Sequence, residues 1–242
     1  MSPPGRPKGE YRSAQHEGTP MSLLRAALSC AGVAAALVAC AGAPPPPDWQ
    51  LNAHAALEQA LAAHLSGNDR AAAQEFERAR GQIARTGRVD LMARAELSRC
   101  AAQVASLRFE ACAGFERLRA DAPAAEQAYA DYLLGALEPA RRTLLPLQHQ
   151  AAAAGADPAL LHAVADPLTR LVAAALWLQA GQASPALLAL AVDTASAQGW
   201  RRPLLAWLGV QLRRAEQAGD AAEAQRLARR IALVTLAGAP AR

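Results

Sequence analysis

The side chains able to do covalent or metal chemistry in this chain of 242 residues are few. The cysteines are Cys30, Cys40, Cys100 and Cys112, and the histidines beyond the first segment are His54, His64, His149 and His162. Nucleophilic catalysis would need a Ser or Cys beside a base, and a zinc site would need ligands at short, fixed spacing. The sequence has no His-Glu-x-x-His, no phosphate-binding Gly-x-x-x-x-Gly-Lys loop, no Gly-x-Ser-x-Gly and no Cys-x-x-Cys. No histidine pairs with a Cys or Asp at ligand spacing, so each is expected on a helix surface or a partly buried face. No catalytic residue, metal or cofactor is assigned, and the chain is expected not to be an enzyme.

The elements that carry these residues are set by composition. Alanine supplies 65 of the residues, while Phe, Tyr and Trp together make only 4%. Apolar content of 52% is too high for a disordered chain. Charges recur too often for a polytopic membrane protein. The excess of Ala and Leu over β-branched and aromatic residues favours helices over strands. The expected fold class is all-α, packed through small side chains. Beyond residue 39 acidic and basic residues nearly balance, so nucleic-acid binding has no electrostatic support.

Residues 21–39 read as a targeting segment. Met21 to Arg25 carries one positive charge, and Ala26 to Ala39 is an uninterrupted small and apolar run. The run is shorter than the roughly 20 residues that span a bilayer. It ends in Leu37-Val38-Ala39-Cys40, which resembles the lipobox of bacterial lipoproteins. That resemblance implies diacylglyceryl transfer to the Cys40 thiol, cleavage before Cys40 and acylation of its new amine. The resulting anchor would be effectively permanent. Ala41 rather than Asp follows, which by the same resemblance implies the outer membrane, facing the periplasm. Residues 1–20 are expected to be an extension upstream of a start at Met21; a genuine long leading segment is the alternative. Residues 40–48, with Pro44 to Pro47, form an extended tether that holds the folded part off the membrane.

With Cys30 removed and Cys40 lipidated, Cys100 and Cys112 remain as a pair in an oxidising compartment. They lie at similar distances on either side of a turn near Ser106, and antiparallel helices would bring them to similar heights. They are expected either to form a disulfide or to be two buried thiols.

Residues 49–237 are expected to be a helical domain, followed by a tail over 238–242. Internal periodicity supports a repeated hairpin. Gly67 is followed by Ala72, Phe76 and Ala79; the same offsets give Ala140, Leu144 and Leu147 after Gly135. Gly181 leads to Ala186, Leu190 and Asp193, and Gly219 to Ala224, Ala228 and Ile231. A fifth copy replaces Gly by Ser106 and leads to Ala111, Phe115, Leu118 and Pro123. This spacing resembles the tetratricopeptide repeat, in which a glycine ends the first helix, a small residue lets the second approach it, and a larger apolar residue one turn later fills the groove between neighbouring hairpins. The resemblance implies an α-solenoid of about five antiparallel hairpins. Spacing is uneven and the first-helix signature is largely missing, with Ala56, Ala60 and Ala63 at the expected Trp, Gly and Tyr positions. The units are degenerate, and an extra short helix is expected between Asp157-Pro158 and Asp166-Pro167. A non-repetitive helical bundle is the other reading.

In that family first-helix side chains line a concave binding face. Carried over, the positions are His54, His64, Glu96, Gln103, Tyr129, Tyr132, Arg213 and Glu216. Tyr129 and Tyr132 lie one turn apart and could be interface anchors or could pack between hairpins. The expected function is an outer-membrane-anchored scaffold for an envelope protein or peptide partner. A part in an outer-membrane assembly or secretion machine is the alternative, and an accessory to a cell-wall enzyme is less favoured.

Overall fold

The computed structural model describes residues 45–155 and 157–236. Cys40, the targeting segment and the tail after residue 236 lie outside the described residues. Among the described residues the protein is all-helical, with eleven α-helices, two 3-10 helices and no strand. None of these helices is long and apolar enough to cross a membrane.

The first hairpin pairs α1 (Asp48–Ser66) with α2 (Asp69–Ala84). Its connection is two residues long, and each has one task. Gly67 takes φ +87°, a left-handed conformation that suits glycine, and its N–H donates to the His64 carbonyl. Asn68 caps α2, its side-chain oxygen accepting from Ala71 N at 3.1 Å. Phe76 and Ala79 are buried where the hairpin closes, with Ala53, Ala60 and Ile83.

Helix α3 (Val89–Ala105) follows and ends differently. The expected second helix does not start after Ser106. Leu107 instead adopts φ +60°, the position a glycine occupies in the other turns. Residues 108–112 are irregular, followed by the single turn α4 (Ala113–Glu116) and a 3-10 turn, Arg119–Asp121. This path delivers Phe115, fully buried, and Cys112 into the main core. Helix α5 (Ala124–Leu133) completes the region.

The unit expected after Gly135 also departs from a hairpin. It contains a 3-10 helix, Pro139–Leu144, and the short α6 (Leu147–Gln150). Pro139 and Pro146 each remove a backbone donor and prevent one continuous helix. Leu144, expected to fill a groove, is exposed.

Asp157-Pro158 and Asp166-Pro167 start α7 (Pro158–His162) and α8 (Pro167–Gln179) as expected. Asp157 accepts from Ala159 N, and Asp166 from Thr169 N at 2.7 Å. Residues 171–177 of α8 are all buried, so it is the central helix, apolar all round. It packs against α3 and α9 (Pro185–Ala197), the latter across the turn at Gly181. Helix α10 (Arg201–Gln217) and α11 (Ala221–Leu236) form the last hairpin, around Gly219. There the buried groove residue is Leu227, while Ala228 at the expected position is exposed.

In a linear array each hairpin touches only its neighbours. Here α10 lies against α1. Trp207 donates from Nε1 to the Ala105 carbonyl at 3.1 Å, 102 residues away. Helix α10 therefore closes onto α1 and α3 rather than ending an open stack.

Candidate functional site

The carried-over residues divide by location. His64 and Gln103 come together in a cleft between α1, α2 and α3, with a volume of about 200 Å³. Its floor is Phe76, and its polar rim is Asp69, Glu77, Arg99 and Arg108. The Arg99 guanidinium lies over the Phe76 ring at 4.6 Å and donates to Glu96 at 3.0 Å. This fixes a cation on an apolar floor.

His64 is neutral at physiological pH. Burial first, and then the nearby Arg202 cation, lower its pKa to about 4. Its Nε2 is buried without a hydrogen-bond partner. Arg202, the second residue of the basic doublet Arg201-Arg202, organises the cleft edge. Its Nε donates to the His64 carbonyl at 2.7 Å, and its Nη2 pairs with Asp69. Arg201 donates to the Ser66 carbonyl at 3.0 Å. The doublet thus covers the carbonyl end of α1, where cations are favoured by the helix dipole. It also explains Gly67 a second time, since a Cβ there would meet Arg201 Nη2 at 2.7 Å.

Glu96 is buried. It is 1% exposed, paired with Arg99 and, at 3.4 Å, with Arg80. Gly114 lies directly over it: a Cβ at that position would come within 2.0 Å of Glu96 Oε2. A buried carboxylate requires such partners, and the two arginines provide them.

Tyr132 is buried, and Tyr129 is half-buried against the main core. Their rings lie 5.0 and 5.2 Å from that of His149, which is 3% exposed. Burial raises both phenol pKa values above the usual tyrosine range. Burial lowers that of His149 to about 4, opposed by Asp166. Gln148 donates its amide to the Thr169 hydroxyl at 3.2 Å, and that hydroxyl lies 3.4 Å from His149 Nε2. His149 is the buried aromatic partner that sequence reasoning placed no deeper than a partly buried face. No periodic signal marks it, because α6 is a single turn.

His54 is exposed on α1, 3.2 Å from Glu58, beside a separate apolar groove lined by Trp49, Leu51, Leu57 and Leu91. Arg213 and Glu216 are exposed on α10 and line neither cavity. The sulfurs of Cys100 and Cys112 lie within disulfide distance, with Cα atoms 5.9 Å apart. Cys112 reaches that position from the irregular segment, not from a second helix as expected. Cys40 lies outside the described residues.

Among the described residues no group of three or more His, Cys, Asp or Glu is placed to hold a metal ion. No protein-family model, no curated protein and no solved structure matches the chain. The cleft offers an apolar floor, fixed cations and neutral hydrogen-bonding groups. Such a surface can bind a side chain or a short segment of another chain.

Proposed function

We propose that the protein is an outer-membrane lipoprotein, anchored through Cys40, whose helical domain holds an envelope protein or peptide partner. The observation that carries this reading is the order of charge, apolar run and Leu37-Val38-Ala39-Cys40. The Cys100–Cys112 pair at disulfide distance supports it, because such bonds persist in oxidising compartments. The hairpins at Gly67, Gly181 and Gly219 support descent from degenerate tetratricopeptide-like units, with α10 of the last folded back on α1 of the first. The cleft around His64, Phe76, Arg99 and Gln103 is the binding face on this reading.

Site-specific crosslinking in cells tests it. A photoreactive residue at Gln103 should trap a defined partner, and Arg108→Glu should abolish the adduct while the melting temperature holds. An adduct that forms equally from Arg213 and survives Arg108→Glu would remove the cleft as the binding face.

A further inference from the structure

A second cavity lies on another part of the molecule, between the Pro139–Leu144 helix, residues 152–155 and the end of α8. We infer that it binds a terminal carboxylate carried on a short apolar group, whether a small free acid or the C-terminus of a peptide. The inference goes beyond the scaffold reading and does not depend on lipid anchoring.

The cavity holds about 290 Å³, the lower end of ligand-pocket sizes. No Asp or Glu lines it, and Arg142 is its one charged residue. Arg142 makes no ion pair among the described residues. Its neighbour is used differently: Arg141 pairs with Asp131, which also takes Arg119 at 2.9 Å. Those contacts pin the 3-10 helix and leave the next guanidinium at the cavity with no counter-charge. A half-buried guanidinium favours a planar anion that accepts two hydrogen bonds, and a carboxylate has that shape. One cation balances a monoanion; a phosphate dianion would leave charge uncompensated.

The remaining walls set the rest of the ligand. Leu137, Leu176 and Trp177 are apolar surface. The single polar atom of the Trp177 side chain, Nε1, is already committed to the Ala152 carbonyl at 3.1 Å. Residues 152–155, which also line the cavity, are Ala and Gly, so a ligand can approach the backbone closely. Tyr132 also lines the cavity; it is 6% exposed, and its hydroxyl has no partner in the protein. A cavity whose lining holds both a residue with an unmet buried hydroxyl and an uncompensated cation lacks a polar counterpart.

Calorimetric titration of the full chain in detergent tests this with N-acetyl-leucine, its neutral amide, and a hexapeptide ending in leucine with a free carboxylate. N-acetyl-leucine should bind saturably, and the amide should bind at least about ten-fold more weakly. Arg142→Gln should weaken the acid by about ten-fold or more without lowering the melting temperature. Tighter binding of the hexapeptide than of N-acetyl-leucine would identify a chain end as the source. Exclusion of the hexapeptide would identify a small free acid. Equal binding of acid and amide, no heat from either at millimolar concentration, or an Arg142→Gln variant that binds like the original would each overturn the proposal.

Discussion

Arg202 donates from Nε to the main-chain carbonyl of His64 at 2.7 Å, joining residues 138 positions apart. That bond, with the Arg202–Asp69 pair, ties the start of α10 to the turn of the first hairpin. It converts what would be a linear run of hairpins into a closed body.

Arg202→Ala should therefore destabilise the whole domain by about 1.5 to 3 kcal/mol, the range for hydrogen bonds involving a charged group. Lysine should rescue only partly, because one ammonium cannot reproduce bonds made from two guanidinium nitrogens. Urea unfolding of the two variants checks this. An Ala variant as stable as the original would mean that the closure contributes nothing.

Gly114 and Glu96 should be energetically coupled. Gly114→Ala should cost about 1 to 3 kcal/mol, since the new methyl would displace a buried carboxylate from its arginines. Glu96→Ala alone should also destabilise, through loss of both ion pairs. The double variant should lose clearly less than the sum of the two. Additive losses in a double-mutant cycle would contradict the packing of one against the other.

Much of the architecture was legible where the chain uses backbone chemistry. Gly67, Gly181 and Gly219 sit at the turns, and the Asp-Pro pairs start helices as N-cap and first position. Glu75 and Glu77 pair with Arg78 and Arg80, each three residues further along the helix. Legibility failed where tertiary contacts decide. Residues 108–112 have helical propensity, but burying Phe115 and placing Cys112 beside Cys100 draws them out of a helix. The buried positions of Glu96 and Tyr132, and the half-buried one of Tyr129, were hidden for a different reason. Alanine is compatible with either face of a helix, so an Ala-rich segment lacks the apolar stripe that would mark which side is buried.

Stability should fall on acidification through the buried histidines. His149 has a folded pKa of about 4 against 6.5 when unfolded, because burial disfavours the charged ring. Between those values the unfolded chain binds a proton that the folded chain refuses. The stabilisation is thus complete above pH 6.5 and is lost as pH drops toward 4, up to about 3 kcal/mol for this group. His64 acts in the same direction. His149→Phe should flatten the slope of stability against pH over that window. An unchanged slope would place the titrating group elsewhere.

Reducing the Cys100–Cys112 pair should lower stability by about 3 kcal/mol at most, as expected for a loop closed across 12 positions. Peptide mapping without reductant should recover the two cysteines joined, and thermal melts with and without reductant should differ. Two freely alkylated thiols in protein recovered from the periplasm would contradict the pairing.

The intact mass of the protein extracted from outer membranes tests the central claim most directly. The account predicts a chain beginning at Cys40 and carrying the added mass of a diacylglyceryl group and an amide-linked acyl chain. Cys40→Ser should remove that species. A chain that retains residues 21–39 or begins at an unmodified residue, and that the serine variant reproduces, would contradict it.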